Sequence, residues 1–226
     1  MNDLLEAVEI ETAPNPAAAV IWMHGLGADG NDFAPIVPEL ELGGLPAIRF
    51  LFPHAPMQPV TINNGYVMRA WYDVTYGDLE GNPSKKADEQ GVRASQAAIG
   101  KLIARENRRG IASRHIVAAG FSQGGAIALQ TGLRHPERLA GVMALSAYLP
   151  LADCLPAEAS AANKDVPIFY AHGTYDPVIP LPMAIVSRDK LGELGYQVEW
   201  HEYPMQHSVC LEEISDVSAW LRSALR

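Results

Sequence analysis

The sequence predicts an α/β fold in which a mostly parallel central sheet carries helices on both faces. This prediction rests on short apolar runs bounded by glycine or proline, with longer amphipathic segments between them. Near-continuous apolar runs are typical of strands buried on both faces, whereas an alternating run indicates a strand with one exposed face. We expect strands at Val20–Met23, Ile48–Phe52, Ile116–Phe121, Val142–Leu145 and Ile168–Ala171, and an alternating strand at Val198–Tyr203.

The segments between these runs have helical periodicity. Residues 88–109 place apolar side chains on one face, and residues 124–135 and 181–194 are further helix candidates. Gly110 and Gly195 follow two of these segments, as is common at a helix C-terminus. Near the end of the chain, apolar residues recur at helical spacing at Leu211, Ile214, Val217, Leu221 and Leu225. Strands that alternate with helices predict parallel pairing through helical crossovers.

Length and composition favour one globular domain over residues 1–226. The chain has 48% hydrophobic and 19% charged residues, so disorder or a coiled coil is a poor interpretation. A formal net charge of −9 argues against nucleic acid as a partner, because phosphate binding needs clustered cations. We interpret the basic cluster at Arg105, Arg108 and Arg109 as complementing a helix C-terminus.

Several features predict a cytoplasmic protein. The amino-terminal residues MNDLLEAVEIE contain acids and no basic region, which is not typical of a signal peptide. No apolar stretch approaches the length of about 18 residues that indicates a membrane-spanning helix. The chain has only two cysteines, Cys154 and Cys210, and such sparse use favours a reducing compartment.

Residues 54–87 form a long segment with few helix signals, directly after the predicted strand Ile48–Phe52. Loops of this length in compact domains are usually functional or disordered, and the aromatic residues Tyr66, Trp71, Tyr72 and Tyr76 argue against disorder. We expect part of the segment to line a substrate site, with Met68 and Trp71 as wall residues. The alternative is that the aromatic side chains fix the segment to the core.

A nucleophile is predicted at Ser122. The sequence Gly120-Phe121-Ser122-Gln123-Gly124 lies between a predicted strand and a predicted helix, which is the context of a nucleophile elbow. There, a sharp turn holds the serine hydroxyl clear of the sheet, and the glycines let strand and helix approach closely. The pentapeptide alone is weak evidence, since an ordinary glycine-rich turn can match it by chance, but the flanking elements strengthen it.

A base for Ser122 should follow it, since α/β-hydrolases order the triad as serine, acid and histidine along the chain. We predict His207, which lies in a loop after a predicted strand and before the last helix. A catalytic base belongs on such a loop at the carboxyl edge of the sheet. We interpret His135 at a helix end, His172 at a strand end and His201 within a strand as structural.

The acid is predicted at Asp176, which closely follows the strand Ile168–Ala171. Its expected role is to fix the tautomer of His207 and to stabilise the imidazolium. Asp153 is an alternative in another loop, farther from its strand, and Asp165 is an alternative that precedes a strand. A plain Asp-Pro turn is the structural alternative for Asp176.

Backbone N–H donors for a developing oxyanion are predicted at Gln123 and Leu26. Gln123 directly follows the nucleophile, and His24-Gly25-Leu26-Gly27 follows the early strand Val20–Met23. These are the two places from which α/β-hydrolases take such donors. The loop matches neither glycine motif that is typical of phosphate binding.

Together, these segments resemble the carboxylesterase and acyl-protein thioesterase family, the phospholipase/carboxylesterase group of α/β-hydrolases. The matching segments follow the family's order over about residues 20–207 and are WMHGLG at 22–27, FPHAP at 52–56, AWYD at 70–73, GFSQGG at 120–125, HGTYDPVIP at 172–180 and YPMQH at 203–207. In combination these segments are highly specific.

The resemblance implies an α/β-hydrolase fold without a large lid domain. It implies hydrolysis of short- to medium-chain carboxylic esters through an acyl-enzyme intermediate, with no cofactor and no metal. The alternative is an acyl-protein thioesterase or lysophospholipase that acts on acylated thiols or lysophospholipids with the same triad, and a homodimer stays open. The resemblance also supports Leu26 and Gln123 as oxyanion donors. One departure is Gln206, where the family usually has glycine before the histidine, and it bears on substrate range.

Other activities are disfavoured by the residues present. A dienelactone-type hydrolase would have cysteine in place of Ser122, and a non-catalytic binding module would be expected to lack a member of the triad. Because an apolar wall rewards each buried methylene by about 0.8 kcal/mol, activity should rise over the first few carbons of the acyl chain. The family resemblance implies that esters of roughly four to ten carbons are the best substrates. With no obvious amphipathic lid, emulsified triglycerides should be poor substrates.

Overall fold

The computed structural model describes residues 4–75 and 88–226. The strands are β1 (Ala7–Glu11), β2 (Ala18–Met23), β3 (Ile48–Pro53), β4 (Met57–Val60), β5 (Tyr66–Arg69), β6 (Ile116–Phe121), β7 (Gly141–Leu145), β8 (Ile168–Gly173) and β9 (Val198–Tyr203). The α-helices are α1 (Glu89–Arg108), α2 (Gln123–Arg134), α3 (Leu155–Glu158), α4 (Leu181–Glu193) and α5 (Leu211–Ala224). Short 3-10 helices occupy Ala34–Glu39, Thr61–Asn63, Ser113–His115 and Ala161–Asn163.

The described residues contain a seven-stranded sheet in the order β1-β3-β2-β6-β7-β8-β9, and β4 and β5 pair as a separate hairpin. Every neighbouring pair in the large sheet is parallel except β1 and β3. The strand order reverses direction beside β2, which pairs with both β3 and β6. The loops that leave the carboxyl ends of β2 and β6 therefore diverge at a switch point, where open α/β sheets bind their ligands.

Helices cover both faces of this sheet. On one face, α1, α2 and α4 pack their apolar side chains over the central strands. On the other face, α5 and the 3-10 helix Ala34–Glu39 do the same, with Trp220 and Phe33 in contact with the strands. The strands β2, β3, β7 and β8 are fully buried along their length, which accounts for their near-continuous apolar sequences.

The predicted α/β class is confirmed, and each predicted strand is present with ends that extend by no more than two residues. The predicted helices are also present, with Gly110 and Gly195 in the left-handed conformation just beyond α1 and α4. The sequence analysis missed β1 and the hairpin of β4 and β5. Tyr76 lies outside the described residues, so nothing tests its assignment to the aromatic segment.

The basic cluster at the end of α1 complements the helix terminus and also forms ion pairs. Arg105 and Arg109 bind Glu9 of the edge strand β1, and Arg49 of β3 binds the fully buried carboxylate of Glu106 at 2.6 Å. The cluster therefore attaches an antiparallel edge strand to the helix layer. Among the described residues, no helix combines the length and the apolar character that crossing a membrane would need.

Candidate active site

Ser122 occupies a sharp turn between β6 and α2. Its backbone has φ 56° and ψ −123°, a conformation that costs a non-glycine residue about 1–3 kcal/mol and is typical of functional sites. The neighbouring glycines are required by close backbone contacts. A Cβ on Gly120 would lie 2.3 Å from the backbone of Gly124, and one on Gly124 would lie 2.2 Å from the carbonyl oxygen of Met23. Strand, turn and helix thus meet so closely that Gly120 and Gly124 have no room for a side chain, and Ser122 is held at the carboxyl edge of the sheet.

A hydrogen-bonded chain of side chains leads from Ser122 into the protein. The hydroxyl Oγ of Ser122 lies 2.9 Å from Nε2 of His207, and Nδ1 of His207 lies 2.6 Å from Oδ2 of Asp176. The three residues come from loops after β6, β9 and β8, which are brought together at one edge because the strands are parallel. Phe121 packs on the imidazole with ring centres 4.8 Å apart and restricts its rotation.

Asp176 is held as a carboxylate. Burial alone would raise the pKa of Asp176, but the hydrogen bonds from His207 and from the backbone N–H groups of Ile179 and Val178 hold this pKa below its ordinary value. Both backbone groups donate to Oδ1, at 2.8 Å from Val178 and 2.9 Å from Ile179, and leave Oδ2 to His207. An ionised, fixed acceptor requires His207 to carry its proton on Nδ1, so that Nε2 is the basic atom that faces Ser122.

The other candidate histidines and aspartates do not contact Ser122. His172 is buried in β8, where Nε2 hydrogen-bonds the carbonyl oxygen of Ile179 at 2.8 Å and lies 3.5 Å from Oδ2 of Asp176, and burial lowers the pKa of its imidazole. His201 stacks on Phe169 within β9. The alternative acids, Asp153 and Asp165, are both exposed, and Asp165 is paired with Arg138.

His135 is the C-cap residue of α2 and hydrogen-bonds the backbone of Glu137. Of the four histidines that follow Ser122, the structure therefore brings only His207 into contact with the serine hydroxyl. Among the described residues, no group of three or more His, Cys, Asp or Glu side chains is placed to hold a metal ion.

The two predicted oxyanion donors flank the serine. Gln123 is the first residue of α2, where backbone N–H groups have no partner within the helix. Leu26 follows β2 and lines the same cavity as Ser122 and Gln123. The backbone on either side of Leu26 is fixed, because the imidazole of His24 hydrogen-bonds the carbonyl oxygen of Gly25 and the N–H of Gly27 donates to the carbonyl oxygen of Arg69.

A mostly apolar cavity of about 190 Å³ opens beside Ser122. Its apolar wall comes from the segments after β2, β4, β5 and β8, and consists of Leu26, Ile62, Val74, Val178 and Ile179. Its polar part includes Tyr72 and Tyr148, whose hydroxyl groups lie 2.8 Å apart. The site thus combines a hydrogen-bonded serine with a small apolar compartment, an arrangement suited to an acyl group.

A family model described as Phospholipase/Carboxylesterase matches residues 5–225. The chain belongs to this family. It is therefore an α/β-hydrolase and a serine hydrolase, as the sequence predicted. Among curated relatives, it is 41% identical to "Acyl-protein thioesterase 1" of Neurospora crassa over 92% of this chain and 87% of that protein. It is 37% identical to the protein of the same name from Yarrowia lipolytica, over 97% of each chain.

Solved structures of similar proteins have the same architecture. The Arabidopsis thaliana SOBER1 structure superposes with a TM-score of 0.84 at 30% identity, and covers 92% of this chain and 99% of that chain. The Zea mays acyl-protein thioesterase 2 structure gives a TM-score of 0.80 at 28% identity, over 98% of this chain and all of that chain (100%).

Two residues expected in the acyl wall of this family member lie elsewhere. Trp71 is 1% exposed and is absent from the cavity wall, because its indole lies beneath the loop after β2. The alternative that the aromatic side chains fix the segment to the core describes Trp71 better. Met68 lines an adjacent, more open groove with Met57 and Tyr66. Its sulfur accepts a hydrogen bond from Asn63, a residue that also lines the cavity.

Several wall residues were not found from the sequence. Val178 and Ile179 directly follow Asp176 and the proline after it, and Tyr148 follows the end of β7. Their position in loops at the carboxyl edge of the sheet was the only available sign that these residues line the cavity, because apolar loop residues belong to no recognisable sequence motif. The side chain of Gln206, the departure from the family pattern, is exposed and is absent from the cavity wall.

Proposed function

We propose that this chain hydrolyses acyl thioesters and the corresponding carboxylic esters through an acyl-enzyme on Ser122, with His207 as the base and Asp176 as the residue that orients it. The observation that carries the proposal is the unbroken chain of hydrogen bonds from Ser122 Oγ through His207 to Asp176, which opens onto an apolar cavity. Such a chain activates a hydroxyl that is otherwise a weak nucleophile.

In the first half of the reaction, His207 Nε2 takes the proton of Ser122 as Oγ attacks the acyl carbonyl carbon. The carbonyl oxygen becomes negative and accepts hydrogen bonds from the backbone N–H groups of Leu26 and Gln123. Asp176 stabilises the imidazolium without taking its proton. Collapse of this intermediate breaks the bond to the leaving group, which receives the proton from His207 and departs as an alcohol or a thiol, so that Ser122 is left acylated and His207 is neutral again.

In the second half, His207 removes a proton from a water molecule, and the resulting hydroxide attacks the acyl carbon. The second tetrahedral intermediate uses the same donors, and its collapse returns the proton from His207 to Ser122 Oγ. The products are a carboxylic acid and the free enzyme. Each step uses groups that are held in place before the substrate arrives, so little reorganisation is needed during the reaction.

Thioesters are the substrates we favour within this scheme, ahead of the carboxylic oxygen esters that the sequence alone suggested first. The support is that relatives 36–41% identical to this chain carry the name acyl-protein thioesterase 1. The chemistry of the leaving group agrees with this preference. A thiol has a pKa of about 8.5, so a thiolate leaves more readily than an alkoxide and depends less on proton donation from His207. An acylated cysteine in a peptide and an acylated small thiol both present this bond.

A matched pair of substrates tests this preference. The S-octanoyl ester of mercaptoethanol and the O-octanoyl ester of ethylene glycol share an acyl group and differ in the leaving atom. After correction for spontaneous hydrolysis, we expect kcat/KM to be at least about tenfold higher for the thioester, a difference of about 1.4 kcal/mol in activation free energy. A higher value for the oxygen ester would return the assignment to a carboxylesterase. Lysophosphatidylcholine in the same assay tests the lysophospholipase alternative.

The cavity sets the expected acyl length. A water molecule takes up about 30 Å³ of liquid. Because a methylene group is of similar size, a cavity of about 190 Å³ accommodates an acyl chain of medium length. This supports the range of roughly four to ten carbons, in which each methylene that enters the wall contributes about 0.8 kcal/mol. A series of p-nitrophenyl esters that runs from acetate to palmitate should give its maximum of kcat/KM within that range of acyl lengths.

A single domain over residues 1–226 and a cytoplasmic location stay predictions. A homodimer stays open as an alternative to the monomer. Light scattering on the purified chain decides the oligomeric state. A single cooperative unfolding transition, followed by both fluorescence and circular dichroism, is the expected behaviour of a single domain.

A further inference from the structure

We propose that Trp71 is a positioning residue that fixes both halves of the oxyanion hole, and this inference rests on the function proposed above. Trp71 lies outside the substrate cavity and is almost fully buried, with 1% exposure. It contacts the loop that carries Leu26 and the side chain of Gln123, the two residues whose backbone N–H groups we propose as donors.

One arm of this arrangement reaches the loop after β2. The indole Nε1–H of Trp71 donates to the carbonyl oxygen of His24 at 2.9 Å, and the two rings lie 5.3 Å apart. The imidazole of His24 accepts the N–H of Ala55 at Nε2, so its proton is on Nδ1, which donates to the carbonyl oxygen of Gly25 at 2.7 Å. Burial lowers the pKa of His24 and favours the neutral ring, and the bond from Ala55 selects its tautomer. Both peptide groups that precede Leu26 are thereby held.

The other arm reaches the start of α2. The backbone N–H of Trp71 donates to Oε1 of Gln123 at 2.8 Å, and Nε2 of Gln123 donates to the carbonyl oxygen of Tyr72 at 2.7 Å. The amide of Gln123 is therefore bound at both ends by consecutive residues of one segment. This fixes the residue whose main-chain N–H faces the reacting carbonyl in the proposed mechanism.

The segment itself is anchored from a third side. Ser95 of α1 donates a hydrogen bond from its hydroxyl to the carbonyl oxygen of Trp71. All these groups are buried, where hydrogen bonds are stronger than in water and an unpaired donor is costly. Because the donors of an oxyanion hole must be in place before charge develops, a shared support for both is a direct contribution to the rate.

The test is Trp71→Phe, which keeps an aromatic ring and the backbone N–H bond to Gln123, and removes the indole N–H that holds the loop of Leu26. Trp22 offers a matched control, since it is also 1% exposed but its Nε1 has no hydrogen-bond partner among the described residues. Trp22→Phe makes the same ring truncation without the loss of a hydrogen bond and should leave kcat within about twofold. Trp71→Phe should lower kcat by about 10- to 100-fold with KM within about twofold, because a shift of an ångström or less in a donor has effects of this size.

A readout specific to the oxyanion separates positioning from general destabilisation. A trifluoromethyl ketone adds to the serine and forms an oxyanion, so its inhibition constant should rise in Trp71→Phe by the same factor as kcat falls. If Trp71→Phe folds poorly, Ser95→Ala removes one support alone and should lower kcat by about 2- to 10-fold, the worth of one hydrogen bond.

Trp71→Phe with wild-type kcat and inhibition constant would overturn the inference, as would equal losses in Trp71→Phe and Trp22→Phe. The proposed function is tested separately by Ser122→Ala in the same assays. If Ser122→Ala keeps its activity, the oxyanion hole is elsewhere and the proposed function fails. If Ser122→Ala is inactive and Trp71→Phe is unaffected, only the role of Trp71 fails.

Discussion

Gly173 lies at the carboxyl end of β8, and the loop that carries His207 packs directly on it. A Cβ at this position would lie 2.4 Å from the carbonyl oxygen of Gln206 and 2.5 Å from that of Met205, whereas ordinary contact begins at 3.4 Å. Gly173→Ala therefore requires the backbone just before His207 to move by about 1 Å. Such a shift would disturb both hydrogen bonds of His207, at 2.9 Å to Ser122 Oγ and at 2.6 Å to Asp176 Oδ2.

A displacement of about 1 Å at a catalytic group costs on the order of 10²-fold in rate. We expect Gly173→Ala to lower kcat by about this factor, with KM changed much less because the cavity wall is not displaced. Gly100→Ala is the control, since a Cβ there meets nothing within 4 Å and Gly100 lies inside α1. That variant should keep full activity and gain up to about 1 kcal/mol of stability from helix propensity.

Steady-state kinetics with a p-nitrophenyl ester, measured well below the melting temperature of both variants, gives the comparison. If Gly173→Ala keeps kcat within about threefold of wild type, a 1 Å shift at His207 is harmless or does not occur, and the reasoning from close contact is wrong.

Other variants test the remaining assignments. His207→Ala should lower kcat by several orders of magnitude, as much as Ser122→Ala does, because the two residues act as a unit. His201→Ala should keep kcat within a few-fold of wild type. The reverse pattern would assign the base to His201 in β9. Trp71→Ala should reduce rates at every chain length and leave the p-nitrophenyl ester preference unchanged, whereas a shifted optimum would return Trp71 to the acyl wall. Glu213 is 1% exposed, and burial raises its pKa to about 8, so the folded state holds a proton that the unfolded state has lost above its ordinary pKa of 4.5. As the pH rises between these two pKa values, the free energy of unfolding of the wild type should therefore fall by about 1.4 kcal/mol per pH unit relative to Glu213→Gln. Urea unfolding of both proteins at pH 5 to 8 measures this difference. Parallel pH profiles of the two proteins would contradict the assignment.

The sequence predicted the elements whose patterns follow from burial. Strands such as Ile116–Phe121 are apolar because both faces are covered, and their positions could be located to within two residues. The edge strand Ala7–Glu11 was missed because charged residues alternate along it and its stability depends on ion pairs with a distant helix. The hairpin of β4 and β5 was missed because its strands are mostly exposed.

The same distinction holds at the site. Ser122, Asp176 and His207 could be proposed from chain order and from their places after strands, since parallel strands bring such loops to one edge. Trp71 was assigned to the wrong environment because an aromatic residue in a loop can face either a cavity or the core, and only its hydrogen bonds to His24 and Gln123 decide between them. The wall residues depend on how separate loops pack, which no local pattern records.

The central claim is that Ser122 is a nucleophile activated by His207. Labelling with a fluorophosphonate, followed by mass spectrometry of the intact chain and of its peptides, tests it most directly. We predict one equivalent of label on the peptide that contains Ser122, no labelling of Ser122→Ala, and labelling slowed by orders of magnitude in His207→Ala. Label on another residue, or unchanged labelling of Ser122→Ala, would contradict the account.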